Sequence, residues 1–287
     1  MSRGIGESIA DYLNHARAER GLSANTVAAY RRDLGLYRDF LASRGIGNLA
    51  EVTPVEVTEF VRELAVGQAR ASVARHVVSV RNLHQFAAEE GLTPTDPAAD
   101  VSPPRLERRL PKALPVDVVA AILEAPDTDT VEGLRDAALL ELLYGTGARV
   151  SEVCGLDVDD LTAALADPDL GLRLFGKGRK ERCTPMSKAT RTVMAAWLRE
   201  PGRSPDQPVF PNARGGPLSS HGVHYLLAKH VAAASLNCPS LKHKRVSPHV
   251  LRHTTAMDLL QAGVEQAVIA LWLGHASIET TQIYLDA

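Results

Sequence analysis

The sequence predicts a mainly α fold with a small β component, divided into an N-terminal helical domain and a mixed α+β domain. Three observations carry this expectation. Apolar residues recur at helical spacing behind Ser, Thr or Pro start signals along most of the 287 residues. Four prolines between Pro97 and Pro111 interrupt that pattern. One stretch, around Gly176-Lys177-Gly178, alternates in the manner of paired strands.

Residues 1–100 read as helices only. Ser23 caps a helix from about Ala24 to Arg44, with Tyr30, Leu34, Tyr37 and Leu41 on one face. Thr53 and Pro54 open another, to about Leu64. A long helix follows from about Ala69 to Glu90. Val73, Val77, Val80, His84 and Ala87 form its stripe, and Gly91 stops it. Arg70, Arg75 and Arg81 lie elsewhere on its surface, either as phosphate contacts or as plain solvated side chains. The proline- and charge-rich residues 101–111 read as an interdomain linker, since neither a helix nor a central strand continues through them. The second domain is then 112–287.

Within it, helices are expected at about Pro115–Glu124 and Val131–Tyr144. Gly145-Thr146-Gly147 ends the second, and a short helix carries Val150–Cys154. Residues 172–185 form a β-hairpin with Lys177 at its turn. Ser187 caps a helix to about Leu198, and Ser219 caps one to about Ala234. Ser247-Pro248 starts another, to Gln261, with Gly263 as its stop. Two short helices bracket Gly274-His275, and the second ends at Tyr284.

At 45% apolar and 23% charged residues, the chain is neither disordered nor a membrane protein. No apolar run approaches the roughly 20 residues that span a bilayer. Residues 1–6 lack the apolar core of a signal peptide. Cys154, Cys183 and Cys238 are far apart and form no CxxC pair, so no zinc or disulfide framework is expected. The reducing cytoplasm is the expected location.

The net charge of −2 conceals a strong asymmetry. Residues 112–170 hold 3 Lys/Arg against 13 Asp/Glu, whereas 171–254 hold 15 against 3, with six histidines besides. A basic block of this kind attracts polyanions by phosphate contact and counterion release. The alternative is a solvated basic face packed near the acidic block.

The chemistry concentrates in and around that block. His249 and Arg252 lie three apart in the first turn of a helix, where free N–H groups and the dipole favour an anion. A guanidinium fork matches phosphate oxygens in a way that an ammonium does not. Arg149 follows a Gly-rich helix end, with Glu152 three residues on to hold a nearby group in place. His275 follows a Gly helix stop, and Tyr284 lies nine residues later.

The ordered set Arg149, Lys177, His249, Arg252, His275 and Tyr284 resembles that of the tyrosine recombinase (phage integrase) family. The strings Gly-Thr-Gly-Ala-Arg-Val-Ser-Glu, Phe-Gly-Lys-Gly-Arg-Lys-Glu-Arg, Pro-His-Val-Leu-Arg-His-Thr and Leu-Gly-His-Ala-Ser-Ile-Glu-Thr-Thr-Gln-Ile-Tyr carry the likeness. It covers nearly the whole chain and is nearest in character to bacterial Xer recombinases.

The resemblance implies a site-specific DNA recombinase with an N-terminal core-binding domain and a catalytic domain that clamp duplex DNA. It implies Tyr284 as the nucleophile, forming a 3′-phosphotyrosyl link that conserves the energy of the phosphodiester, so that rejoining needs no ATP. Arg149 and Arg252 clamp the non-bridging oxygens in place of a metal, and no cofactor is expected. His249 and His275 donate hydrogen bonds or move protons, and Lys177 protonates the departing 5′ oxygen. Arg179, Lys180, Arg182, Lys242, Lys244 and Arg245 join the three helix arginines as candidate DNA contacts. His253 and Trp272 read as packing residues.

Family members usually continue past the tyrosine into a segment that packs on a neighbouring subunit. Here Ala287 comes three residues after Tyr284, and the expectation is a weak tetramer that depends on DNA. A tyrosine enzyme that resolves hairpin ends or relaxes supercoils, and a DNA-binding relative without activity, are the alternatives.

Overall fold

In a computed structural model of the chain, the described residues are 3–105, 113–167, 169–176, 181–202 and 204–274. They fall into two compact units, Met1–Arg108 and Arg109–Ala287.

Among the described residues, the first unit holds the α-helices α1 (Ile5–Ala18), α2 (Ala24–Ser43), α3 (Pro54–Gly67) and α4 (Arg70–Glu89). The expected start signals operate. Ser23 Oγ accepts from Thr26 N, and Thr53 Oγ1 accepts from Val55 N with Pro54 beginning the helix. The α4 stripe of Val73, Val77, Val80, His84 and Ala87 is buried throughout. Val80 and Ala87 of the stripe meet Leu34, Tyr37 and Leu41 of α2 in one core, which Tyr12 of α1 enters. The expected elements omit α1, although Ile5, Ile9, Tyr12, Leu13 and Ala16 carry the helical period and are all buried.

Two clusters of buried polar side chains lie in this unit. Asp33 on α2 is buried among Arg75, which pairs with both its oxygens, Ser79 (2.9 Å) and His76 (3.4 Å), all on α4. Arg75 thus has an internal use that its position in the sequence does not disclose. His84 shares a 2.8 Å hydrogen bond with the Tyr37 hydroxyl. Burial lowers its pKa to about 4, so the imidazole is neutral in the fold. Protonation then favours the unfolded chain, where the pKa is near 6.5. His84 therefore withdraws roughly 3 kcal/mol of stability as pH falls from about 6.5 to about 4. Urea unfolding at pH 7 and pH 4.5 is expected to show this extra acid loss in the parent and not in His84→Gln. Equal losses in both would contradict it.

The second unit contains α5 (Val116–Leu123), α6 (Val131–Thr146), α7 (Val150–Cys154), α8 (Val158–Ala166), a hairpin of β1 (Leu172–Phe175) and β2 (Glu181–Thr184), α9 (Lys188–Leu198), α10 (Ser220–Ala234), α11 (Pro248–Gln261) and α12 (Gln266–Leu273). The hairpin is antiparallel, with Leu172 opposite Thr184 and Leu174 opposite Arg182. Helix α6 is the hub. Leu139, Leu140, Leu142 and Leu143 are buried on successive sides of it, so it has little solvent face, and it packs against both α9 and α11. Its buried Asp136 receives Arg135 (2.7 and 3.0 Å) and bonds His230 of α10 at 2.8 Å. The expected elements also omit α8, which Asp157 precedes and whose Val158, Leu161 and Ala164 are buried.

Candidate active site

The site forms where several elements end. Helix α6 stops because Gly147 adopts a left-handed conformation, φ +60°. That conformation favours glycine, and a Cβ there would also press on Leu273 Cδ2 at 2.7 Å. The turn delivers Arg149 to the start of α7, where its backbone N–H donates to Glu152 Oε2 at 2.7 Å.

Glu152 is 3% exposed, and a bare carboxylate at such a position would be costly. Two guanidiniums surround it instead. Arg149 Nη1 donates to Oε1 at 2.9 Å. Arg182, from β2, donates through Nη1 to Oε1 at 2.5 Å and through Nη2 to Oε2 at 2.8 Å. Burial alone would raise the Glu152 pKa. The hydrogen bonds and charge of Arg182 and Arg149 outweigh it and hold the carboxyl below its ordinary range.

Ser247 caps α11 and Pro248 is its first residue, so His249 and Arg252 occupy the first turns as expected. Arg252 is buried. Its Nη1 donates to Gly147 O and its Nη2 to Leu273 O, each at 2.5 Å. His249 is exposed at the surface of the same helix. Desolvation first, then the nearby Arg252, His224 and Arg149, push its pKa below the ordinary imidazole value. It is therefore neutral at pH 7 and able to accept a proton.

The end of α12 completes the arrangement. Trp272 O accepts from Arg182 Nε at 3.0 Å, Leu273 O from Arg252 Nη2, and Gly274 O from Arg149 Nη2 at 2.8 Å. Three consecutive carbonyls thus each receive a different arginine, at the helix end whose dipole favours cations. Trp272 also donates its indole N–H to Thr146 O at 3.0 Å, tying α12 to the end of α6.

The structure thus brings Arg149, His249 and Arg252 together. Lys177, Arg179, Lys180, His275 and Tyr284 lie outside the described residues. Arg70 and Arg81 are exposed on α4, as are Lys242, Lys244 and Arg245 in and after the 3-10 turn Pro239–His243. Arg182 departs from the sequence expectation, because it turns inward to neutralise Glu152. Strand alternation could have shown this. Arg182 shares a face with buried Thr184 and lies opposite buried Leu174, while Glu181 and Cys183 point outward. The sequence reading also omitted His224 on α10, which lies close enough to His249 to shift its pKa. His253 is partly buried beside this cluster.

The model of the phage integrase family matches residues 112–287, and that of the phage integrase N-terminal SAM-like domain matches residues 9–91. The chain belongs to the phage integrase family. This bears out the resemblance carried by the motifs. The tyrosine recombinase XerD of Corynebacterium glutamicum is 40% identical over 286 residues, covering 95% of this chain and 91% of the relative. XerD of Mycobacterium tuberculosis is 41% identical over 293 residues, covering 95% and 90%. A putative integrase/recombinase, y4rC, of Sinorhizobium fredii is 41% identical, covering 96% and 85%. Among solved structures, XerH bound to palindromic difH in a post-cleavage complex superposes with a TM-score of 0.75 at 19% identity, over 96% of this chain and 79% of that one. A lambda integrase tetramer on a Holliday junction gives 0.76 at 18%, over 99% and 77%. These structural likenesses establish the mainly helical integrase fold. With the family comes its activity, site-specific DNA recombination by a tyrosine enzyme.

Proposed function

We propose that this chain cleaves and rejoins duplex DNA at a specific site through a covalent 3′-phosphotyrosyl link to Tyr284. The convergence of Arg149 and Arg252 at the end of α12, directly before His275 in the sequence and with His249 near both arginines, carries this reading. Two guanidiniums held in place by carbonyls and a carboxylate need little reorganisation to receive a phosphate. That preorganisation favours the more highly charged five-coordinate transition state over the ground state. The Tyr284 oxygen attacks phosphorus, the bond to the 5′ oxygen breaks, and Lys177 protonates that oxygen. His249, neutral at pH 7, is suited to accept a proton. His275 donates a further hydrogen bond. Reversal with a partner's 5′-hydroxyl exchanges the strands.

The relatives supply the context. XerH was solved on its difH substrate and lambda integrase as a tetramer on a Holliday junction, so duplex DNA and further copies of the chain are the expected partners here. Residues 1–100 and 112–287 are assigned as the two DNA-clamping domains, with 101–111 as linker. Arg70, Arg81, Lys242, Lys244 and Arg245, all exposed, are assigned to phosphate contacts. No helix among the described residues is long and apolar enough to cross a membrane, and the cytoplasm is the assigned location.

Bound sites selected from random duplexes provide the substrate for the test. A version nicked beside the scissile phosphate traps the covalent intermediate. The parent is expected to form a protein–DNA adduct and Tyr284→Phe none. An adduct that persists in Tyr284→Phe, or its absence from the parent on a tightly bound site, would overturn the proposal.

A further inference from the structure

Arg182 stands outside the set of residues placed at the phosphate, yet every nitrogen of its guanidinium is engaged within the protein. Its Nε, Nη1 and Nη2 each make a separate hydrogen bond, two to Glu152 and one to Trp272 O. The side chain is 11% exposed, so it offers little to a ligand. It also lies flat on the backbone: a Cβ at Gly274, where φ is +64°, would sit 2.8 Å from Arg182 Cδ and 3.0 Å from its Nε. Thr184, next but one along β2, donates to the same Trp272 carbonyl at 3.2 Å.

We infer that Arg182 is a positioning residue that fixes the end of α12 against Glu152, and so sets the point from which the chain continues to His275 and Tyr284. The inference rests on the strand-cleavage reading above. The three carbonyls at the α12 end act as one grip. Arg252 and Arg149 take the second and third, and both also belong to the proposed phosphate clamp. Arg182 takes the first and adds the Glu152 carboxylate that aligns Arg149. The clamp and the end of α12, after which the chain runs on to His275 and Tyr284, therefore share one set of hydrogen bonds, and β2 is tied to them through Arg182 and Thr184. Lysine cannot replace this arginine, because one ammonium cannot span two carboxylate oxygens and a carbonyl lying in three directions.

The test uses the full chain with three variants: Arg182→Ala, Arg182→Lys and Thr184→Val. The first readout is hydrogen exchange of the free protein. Amides at the end of α12 are expected to exchange at least about tenfold faster in both Arg182 variants, and less so in Thr184→Val, while those of α9 keep their protection. The second is single-turnover adduct formation on the nicked substrate at saturating DNA, expected to slow on the order of 10²-fold in both Arg182 variants, with affinity and its salt dependence unchanged. Unchanged α12 exchange would overturn the inference, whatever the chain does to DNA. So would a log–log salt slope shallower by about one unit with the saturated rate intact, since Arg182 would then be a phosphate contact. If α9 loses protection in the arginine variants, Thr184→Val decides: faster exchange confined to α12 supports the positioning role, and none refutes it. A parent that forms no adduct refutes the cleavage reading and leaves the exchange result to decide on Arg182.

Discussion

Glu152→Ala is expected to destabilise the catalytic unit by about 3 kcal/mol, the lower end of what breaking a buried ion pair costs. The loss has two parts. Arg182, nearly buried, keeps its charge without a counterion, and Arg149 loses both the side-chain bond and the backbone bond that hold it at the start of α7. Arg149 is 35% exposed and regains water, which is why the estimate sits at the lower end. Glu152→Gln keeps the shape and one acceptor oxygen and should lose less. The sign of the pH dependence follows from the depressed folded pKa. The stabilisation from Glu152 is fully present above the ordinary carboxylate value near 4.3 and is lost as pH falls through the lower folded value. Chemical denaturation followed by the fluorescence of Trp272, whose carbonyl accepts from Arg182, measures both effects. A Glu152→Ala chain as stable as the parent at pH 7 would show that the two guanidiniums do not depend on the carboxylate.

The second large effect is expected for Arg252→Lys, which keeps the charge and loses the fork. Arg252 joins Gly147 O at the end of α6 to Leu273 O at the end of α12, a span that one ammonium cannot reproduce. Each buried carbonyl left without a partner costs about 1–3 kcal/mol. The larger consequence is kinetic. If the same guanidinium faces the non-bridging oxygens, its loss should slow cleavage by about 10²–10³-fold, the range seen when one preorganised oxyanion donor is removed. Single-turnover adduct formation at saturating DNA isolates that step from binding. A rate within threefold of the parent would remove Arg252 from the phosphate clamp and leave it a structural strut.

Much of this architecture was legible in the sequence because its signals are local. Caps at Ser23, Thr53, Ser187, Ser219 and Ser247 each act within three residues, and all five start helices where expected. The hairpin and the α4 stripe follow from periods of two and of three to four residues. Helices α1 and α8 show the same apolar period, masked by two early glycines in one case and an acidic run in the other. At the site, residue type and order led to Arg149, His249 and Arg252. What they touch was not legible. Glu152 and Arg182 are 30 residues apart, and Arg252 and Gly147 are 105 apart. No local pattern encodes such pairings. The pairing of Arg182 with Glu152 is hidden for the same reason: a charge in a basic run looks solvated until the fold supplies a buried partner.

The apolar surface that α6 presents on nearly every side also bears on how the chain is made. The N-terminal unit draws its partners from residues that emerge first, so it can close while synthesis continues. Helix α6 cannot. Its partner α11 ends at Gln261, 115 residues after Thr146. At 5–20 residues per second that is a wait of roughly 6–23 s on the ribosome with a row of leucines uncovered. Translation speed through 147–261, and whatever holds α6 in the meantime, should therefore influence the yield of active enzyme.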